Sequence, residues 1–373
     1  MTDAINAALA ASGIPGAVAM VGDSKGVRRS EAYGTAAADT IFQLASMTKA
    51  VVSVAAMQLV ERGLLTLNAP LAGLLPQLGN RQVITGFNDA GAPILRPATK
   101  PITLRQLLTH TSGFGYDFAN PELLRAHGPA GPPAPGTLAS LDALLLFEPG
   151  ENWNYGISTD WVGLAVEAAS GQRLDAFLAE NIFTPLGMTD TGFPLDEAVK
   201  ARLAPMHARG PDGTLVPFPI SVGGGKDAEF LAGGAGLSGT AADYLRFLRM
   251  LLNGGSLDGA TVLAPETVAE MSRNQIGQLR AGQMDTAMPA LSLAIDWFPD
   301  MTPGWGLGFL INPETGPNGR SAGSLGWAGI ANTYFWVDPA RDVAAVLLMQ
   351  HLPFGDPGAM AVLAAFERSV YAA

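Results

Sequence analysis

The chain has 373 residues, 48% of them hydrophobic and only 15% charged, with a formal net charge of −11 and a pI of about 4.8. This length holds one large domain or two intimate ones. The acidic balance, with 22 scattered Lys and Arg residues, excludes a nucleic-acid footprint or attraction to an anionic membrane, and the absence of cysteine excludes disulfides, thiol catalysis and cysteine metal sites.

The N-terminus lacks a positive region followed by an apolar core, and no uncharged apolar run reaches the roughly 18 residues of a membrane span, so a soluble cytoplasmic protein is expected. Residues 3–12 read as a short helix. Residues 16–21 and 27–34 read as strands around the tight turn Asp23-Ser24-Lys25-Gly26, a hairpin. Gly22-Asp23-Ser24-Lys25-Gly26 matches G-x-S-x-G, but a nucleophile elbow needs a helix after the turn. We therefore read it as hairpin chemistry only.

After the extended stretch 40–44 comes Ser46-Met47-Thr48-Lys49, opening an apolar run that reads as a buried helix to about Arg62. A serine at a helix start lies near free backbone N–H groups and the positive end of the helix dipole. A lysine three residues on shares its face, which lets an amine serve as base toward a hydroxyl without histidine. The pair alone reads equally as an N-cap serine beside an exposed lysine.

Residues 64–230 alternate helical patterns (104–108, 141–146, 159–169, 174–181) with long Gly/Pro loops, and the stretch 128–136 alone holds four prolines. His110, in Leu107-Leu108-Thr109-His110-Thr111-Ser112-Gly113, reads as structural, and the four histidines show no metal spacing. Tyr155, in Trp153-Asn154-Tyr155-Gly156-Ile157, precedes a helix with Ser158 or Thr159 as its expected N-cap. Its phenol either faces a cleft or packs under a loop. Gly234-Ala235-Gly236-Leu237-Ser238-Gly239 matches G-x-G-x-x-G without a surrounding βαβ unit, so dinucleotide binding is not expected. Thr240-Ala241-Ala242-Asp243 begins a helix like a capping box.

Strands are expected over 306–311, 332–337 and 343–350, and a final helix over 357–371. Gly323-Ser324-Leu325-Gly326-Trp327-Ala328-Gly329 leads into the second of these. Its small residues either allow close approach of a ligand backbone or simply enter a strand. Strands at both ends with helices between suggest an α+β fold: one antiparallel sheet built from both termini, with a mostly helical insertion.

Together, Ser46-Met47-Thr48-Lys49, Tyr155 and Trp327-Ala328-Gly329 stand in the order and spacing of the three motifs of serine β-lactamase-like hydrolases. The segments 103–113, Phe147-Glu148-Pro149-Gly150, 185–191 and Gly233-Gly234-Ala235-Gly236-Leu237 agree. The chain most resembles the family VIII carboxylesterases, similar in fold to class C β-lactamases and penicillin-binding proteins.

The resemblance implies a β-lactamase/transpeptidase-like fold, with domains 1–65 plus 235–373 and 66–234 and the site in the cleft between. It implies Ser46 as nucleophile, Lys49 as base, Tyr155 as proton relay, and an oxyanion hole from the N–H groups of Ser46 and Ile330. Trp327, Ala328 and Gly329 would bind substrate, with Phe114 and Tyr116 as candidate pocket walls. The expected ligand is a small-molecule ester, with no cofactor or metal; monomer or homo-oligomer is left open. Tyr155-Gly156-Ile157 and Trp327-Ala328-Gly329 depart from the Tyr-x-Asn and Lys-Thr-Gly of β-lactamases. Losing the cation that would bind an antibiotic's carboxylate, and the amide-binding asparagine, points to neutral esters.

Overall fold

The computed structural model describes residues 2–193, 197–223 and 228–372. Helix α1 (Thr2–Ser12) leads into the hairpin of β1 (Gly16–Gly22) and β2 (Val27–Gly34). Asp23 Oδ1 accepts the N–H groups of Lys25 and Gly26 at 2.7 Å each, which closes the turn. The G-x-S-x-G match is thus a hairpin turn, and Ser24 Oγ donates to Asp342.

Helix α2 (Thr48–Glu61) is buried at every residue from Thr48 to Leu59, as its apolar composition on all faces requires. Helices α3 (Ser158–Ser170) and α4 (Ala241–Leu252) follow. The C-terminal part supplies β3 (Gly304–Trp305), β4 (Leu310–Ile311), β5 (Leu325–Gly329), β6 (Thr333–Asp338), β7 (Val343–Leu348) and helix α5 (Pro357–Tyr371).

The seven strands form one antiparallel sheet in the order β3-β4-β5-β6-β7-β1-β2. The two ends of the chain meet where β1 pairs β7, with Met20 opposite Val346. Both strands are almost wholly apolar and buried. Strand β2 is an edge carrying Arg28, Arg29 and Glu31, charges that discourage further strand addition. Successive residues of β6 face opposite sides. Phe335 meets Tyr244 of α4, with ring centroids 5.3 Å apart, and Trp336 meets Phe366 of α5 at 5.3 Å. Helices therefore cover both faces.

Several local expectations are corrected. The strand expected over 306–311 is the hairpin of β3 and β4, turning at Gly308 with φ +103°, where a Cβ would lie 2.4 Å from Ser53 Oγ. The helix expected over 141–146 is a 3-10 turn, Leu138–Leu141, followed by chain whose Leu145 exchanges backbone hydrogen bonds with Gln82 and Ile84. Two hairpins, Gln82–Phe87 with Pro93–Pro97 and His207–Arg209 with Leu215–Pro217, lie in stretches that had no clear signal. The helix expected over 174–181 runs Leu174–Leu178 and widens into a π turn, Ala179–Phe183.

Neither Ser158 nor Thr159 caps α3; Ser158 Oγ instead pairs with Ser112 Oγ at 2.8 Å. Thr240 does cap α4, but Asp243 accepts from Asp190 N–H and the Thr191 hydroxyl rather than reaching back. Among the described residues no helix is long and apolar enough to cross a membrane.

Candidate active site

The chain approaches Ser46 along a short strand, Phe42–Gln43, paired with Ser238–Gly239 of the glycine-rich segment. Ala45 then takes φ +49°, an unusual conformation for a residue with a Cβ, and a 3-10 turn, Ala45–Met47, carries Ser46 into α2. Strand β5 ends against this turn. A Cβ on Gly329 would lie 2.5 Å from the Leu44 carbonyl and 2.3 Å from Thr333 Oγ1, so only glycine fits. Thr333 Oγ1 also donates to the Leu44 carbonyl at 3.2 Å. The next N–H along the chain, that of Ile330, has no hydrogen-bond partner among the described residues.

Lys49 lies one turn beyond Ser46 and is only 2% exposed. Its Nζ is 3.2 Å from Ser46 Oγ, 2.9 Å from Tyr116 Oη and 2.6 Å from the Gly234 carbonyl. Burial pulls this amine from its ordinary 10.5 down to about 7, against the charge of Asp160, which pulls the other way. An ammonium donates to all three oxygens. A neutral amine keeps only two N–H bonds and one lone pair. The carbonyl can only accept, so a hydroxyl, that of Ser46 or Tyr116, must then donate to Nζ.

Tyr155 is brought to the same place from the loop before α3. Lys49 Nζ sits 4.7 Å from its ring centroid. Its oxygen accepts the Trp327 indole N–H at 3.0 Å and is hydrogen-bonded to Ser46. Burial raises the phenol above its ordinary range, and those two hydrogen bonds oppose the rise.

Tyr116, expected only as a pocket wall, places its hydroxyl on Lys49, with its ring 5.4 Å from that of Tyr155. Phe114, the other expected wall, is fully buried. It stacks on Trp161 at 6.2 Å and lies under the Arg81 guanidinium, so it offers no surface to a substrate. Trp327 packs between Tyr155, Trp305 and Trp297, with Ala328 and Gly329 continuing β5 toward Ser46.

One participant was not singled out from the sequence. Asp160, in the first turn of α3, is buried, and its Oδ1 accepts the Gly234 N–H at 2.8 Å. Burial raises its carboxyl, while Lys49 and that N–H hold the rise back. One residue thus connects the carboxyl to the amine: Gly234 N–H to Asp160, and Gly234 C=O to Lys49. A Cβ on Gly234 would lie 2.9 Å from Asp160 Oδ2 and 3.1 Å from Tyr116 Oη. The glycine run over 233–236 and an acidic residue opening a helix were the available signals. The G-x-G-x-x-G segment that gave no case for a dinucleotide serves this contact.

His110, at φ +58°, lies beneath Tyr155 at 4.8 Å between ring centroids, against Trp305 at 5.1 Å. Burial, with the charge of Lys49, keeps it neutral. No cluster of His, Cys, Asp or Glu suited to a metal occurs among the described residues.

A twisted antiparallel sheet closed by both termini, with a serine one turn ahead of a buried lysine and a tyrosine on the same hydroxyl, defines the β-lactamase/transpeptidase-like fold class. The Beta-lactamase family model matches residues 1–368, and the chain belongs to that family. It is 34% identical to monacolin J acid methylbutanoyltransferase of Aspergillus terreus, over 100% of this chain and 95% of that protein. It is 33% identical to lovastatin esterase of Penicillium rubens, over 89% of this chain and 85% of that one. Among solved structures, a variant of simvastatin synthase from Aspergillus terreus superposes with a TM-score of 0.83 at 32% identity, covering 100% of this chain and 96% of that chain.

Proposed function

We propose that this protein cleaves neutral carboxylic esters of short to medium acyl chains through a covalent acyl-enzyme on Ser46, as a family VIII-type carboxylesterase, and can pass the acyl group to an alcohol as well as to water. The observation that carries this reading is the buried Lys49 amine, 3.2 Å from Ser46 Oγ and brought to about 7. Near neutral pH such an amine is divided between a form that takes a proton and one that gives it back.

Ser46 Oγ attacks the ester carbonyl as Lys49 removes its proton. The developing oxyanion is held by the N–H groups of Ser46 and Ile330. As the tetrahedral intermediate collapses, the carbonyl–alkoxy bond breaks and the alcohol leaves with a proton relayed through Tyr155, whose hydroxyl touches Ser46. Water or a second alcohol then attacks the acyl-serine by the reverse path. Relatives named both as a methylbutanoyltransferase and as an esterase support an acyl-enzyme with either fate. Trp327 at the third motif supplies no cation for a carboxylate, which favours esters over β-lactams and over D-amino peptide or other amide substrates on the same chemistry.

Hydrolysis of p-nitrophenyl butyrate by wild type and Ser46→Ala, with nitrocefin in parallel, tests the reading. Ester turnover that vanishes in the variant, with little nitrocefin cleavage, is expected. Turnover that survives would overturn the assignment of Ser46, and preference for nitrocefin would overturn the ester reading. Failure of a fluorophosphonate to label Ser46 would mean a catalytically silent, penicillin-binding-like protein.

A further inference from the structure

A cavity of about 650 Å³ opens beside Tyr155. Its walls come from the 119–120 turn, the 152–155 segment and the chain between 280 and 296. The lining is rich in side-chain amides, and each has one end tied to the protein. Asn120 Oδ1 accepts the N–H groups of Glu122 and Leu123, Asn152 Oδ1 that of Trp153, and Gln283 Oε1 an N–H of Arg280. In these arrangements each amide's NH2 group has no protein acceptor among the described residues. Asn154 is tied the opposite way: its Nδ2 donates to the carbonyls of Phe114 and Tyr155, leaving its oxygen free to accept.

Trp153 backs the same wall from the core, buried against His110 and Trp305, and presents no donor to the cavity. The wall therefore offers several neutral donors and an acceptor.

The charges around it disfavour anions. Arg280 is the cation of the lining, and one of its terminal nitrogens spans both oxygens of Asp296 at 2.7 and 2.8 Å. That leaves Asp285 uncompensated among the ionised lining groups, on a chain of net charge −11. A carboxylate or phosphate in this cavity would meet no free cation and one free anion. A ligand presenting several hydroxyls can both accept from the amides and donate to Asn154 and Asp285.

We propose that this cavity holds the alcohol half of the ester, and that the alcohol is an uncharged polyol of sugar type. The proposal rests on the acyl-enzyme reading above. In the transfer direction, a polyol hydroxyl adds to the Ser46 acyl carbonyl, its proton passes to the Tyr155–Lys49 network, the Ser46 Oγ–acyl bond breaks, and the proton returns to Oγ. The products are an acylated polyol and free enzyme.

The test generates the butyryl-enzyme from p-nitrophenyl butyrate and offers methyl α-D-glucopyranoside, 1-butanol or gluconate as acceptor. Release of p-nitrophenol reports acylation, and mass spectrometry quantifies the butyrate ester formed. The expected result is glucoside ester in about tenfold excess over gluconate ester and at least several-fold excess over butyl ester at equal acceptor concentration. Asn152→Leu and Gln283→Leu should each lower the glucoside-to-butanol ratio about fivefold, with fluorophosphonate labelling of Ser46 showing that the variants are folded. Normal p-nitrophenol release with equal use of the three acceptors, preference for gluconate, or an unchanged ratio in both variants would overturn the polyol site while leaving the esterase reading intact. No p-nitrophenol release from wild type would remove the esterase reading and the polyol site with it.

Discussion

Replacing Asp160 by Asn should move the pH dependence of catalysis toward acid. The Lys49 amine must be neutral to accept the Ser46 proton, so kcat/KM of the wild type should rise with pH through about 7. The Asp160 anion favours the charged amine, and removing that charge lowers the amine's pKa further. Its other titratable neighbours do not compensate: His110 is held neutral, and Tyr116 and Tyr155 remain protonated.

Asp160 and Lys49 are bridged by the single residue Gly234. Two charges roughly 6 Å apart in an effective dielectric of about 20 interact by about 3 kcal/mol, equivalent to about two pH units. Relaxation around the variant reduces this, so the acid limb should move down by about one to two. At pH 6 about a tenth of wild-type amines are neutral, against about half when the pKa falls by one, a gain of about fivefold in kcat/KM at that pH. Asparagine still offers an oxygen to the Gly234 N–H, so the geometry persists. The assay is p-nitrophenyl butyrate hydrolysis from pH 5 to 9, with the rate of fluorophosphonate labelling as a second readout. An acid limb that stays in place, or moves toward alkali, would refute the reasoning.

The remaining predictions concern the same cluster. Lys49→Met removes an amine whose descent from 10.5 to about 7 represents about 5 kcal/mol of burial cost. It also leaves Tyr116 and Gly234 without that donor, so the net gain in stability below pH 7 should be about 2 kcal/mol. Between pH 7 and 10.5 only the unfolded wild type binds this proton. Wild-type stability therefore recovers with rising pH, and the advantage of the variant in Tm should shrink from pH 6 to 9.5; a constant gap would contradict the burial account. Tyr155→Phe should lower kcat by about 10²-fold or more, and Tyr116→Phe by less than about 10-fold, since only Tyr155 touches Ser46; the reverse order would exchange their roles. Asn332, at φ +60°, ties the Ile330 turn to the carbonyls of His351 and Pro353 through Nδ2, and to Tyr334 and Gly355 through Oδ1. Asn332→Gly keeps the backbone conformation but frees the turn. It should cost about 10-fold in kcat with little change in KM; an equal change confined to KM would mean that the turn binds substrate rather than the oxyanion.

Much of the fold is legible along the chain because its signals are local. The apolar strands that became β1 and β7, the hairpin turn at Asp23 and the final helix from Pro357 each carry their own periodicity or turn residues. Ser46 and Lys49 are equally legible, being one turn apart on one helix. What depends on distant segments is not. Leu145 gives up a helical reading because its backbone completes a strand pair with Gln82 and Ile84, a partnership with no trace in residues 141–146 themselves.

By itself, then, the sequence determined the sheet-forming ends, the buried helix opened by Ser46 and Lys49, and the order of three motifs. Tertiary structure alone decided that Tyr116 reaches Lys49 while Phe114, two residues earlier, is sealed in the core. It also joined Asp160 to the amine through Gly234, and opened the amide-lined cavity beside Tyr155. The reason is physical: propensity and periodicity act over one or two turns of chain, whereas desolvation and charge act between groups brought together from opposite ends of it.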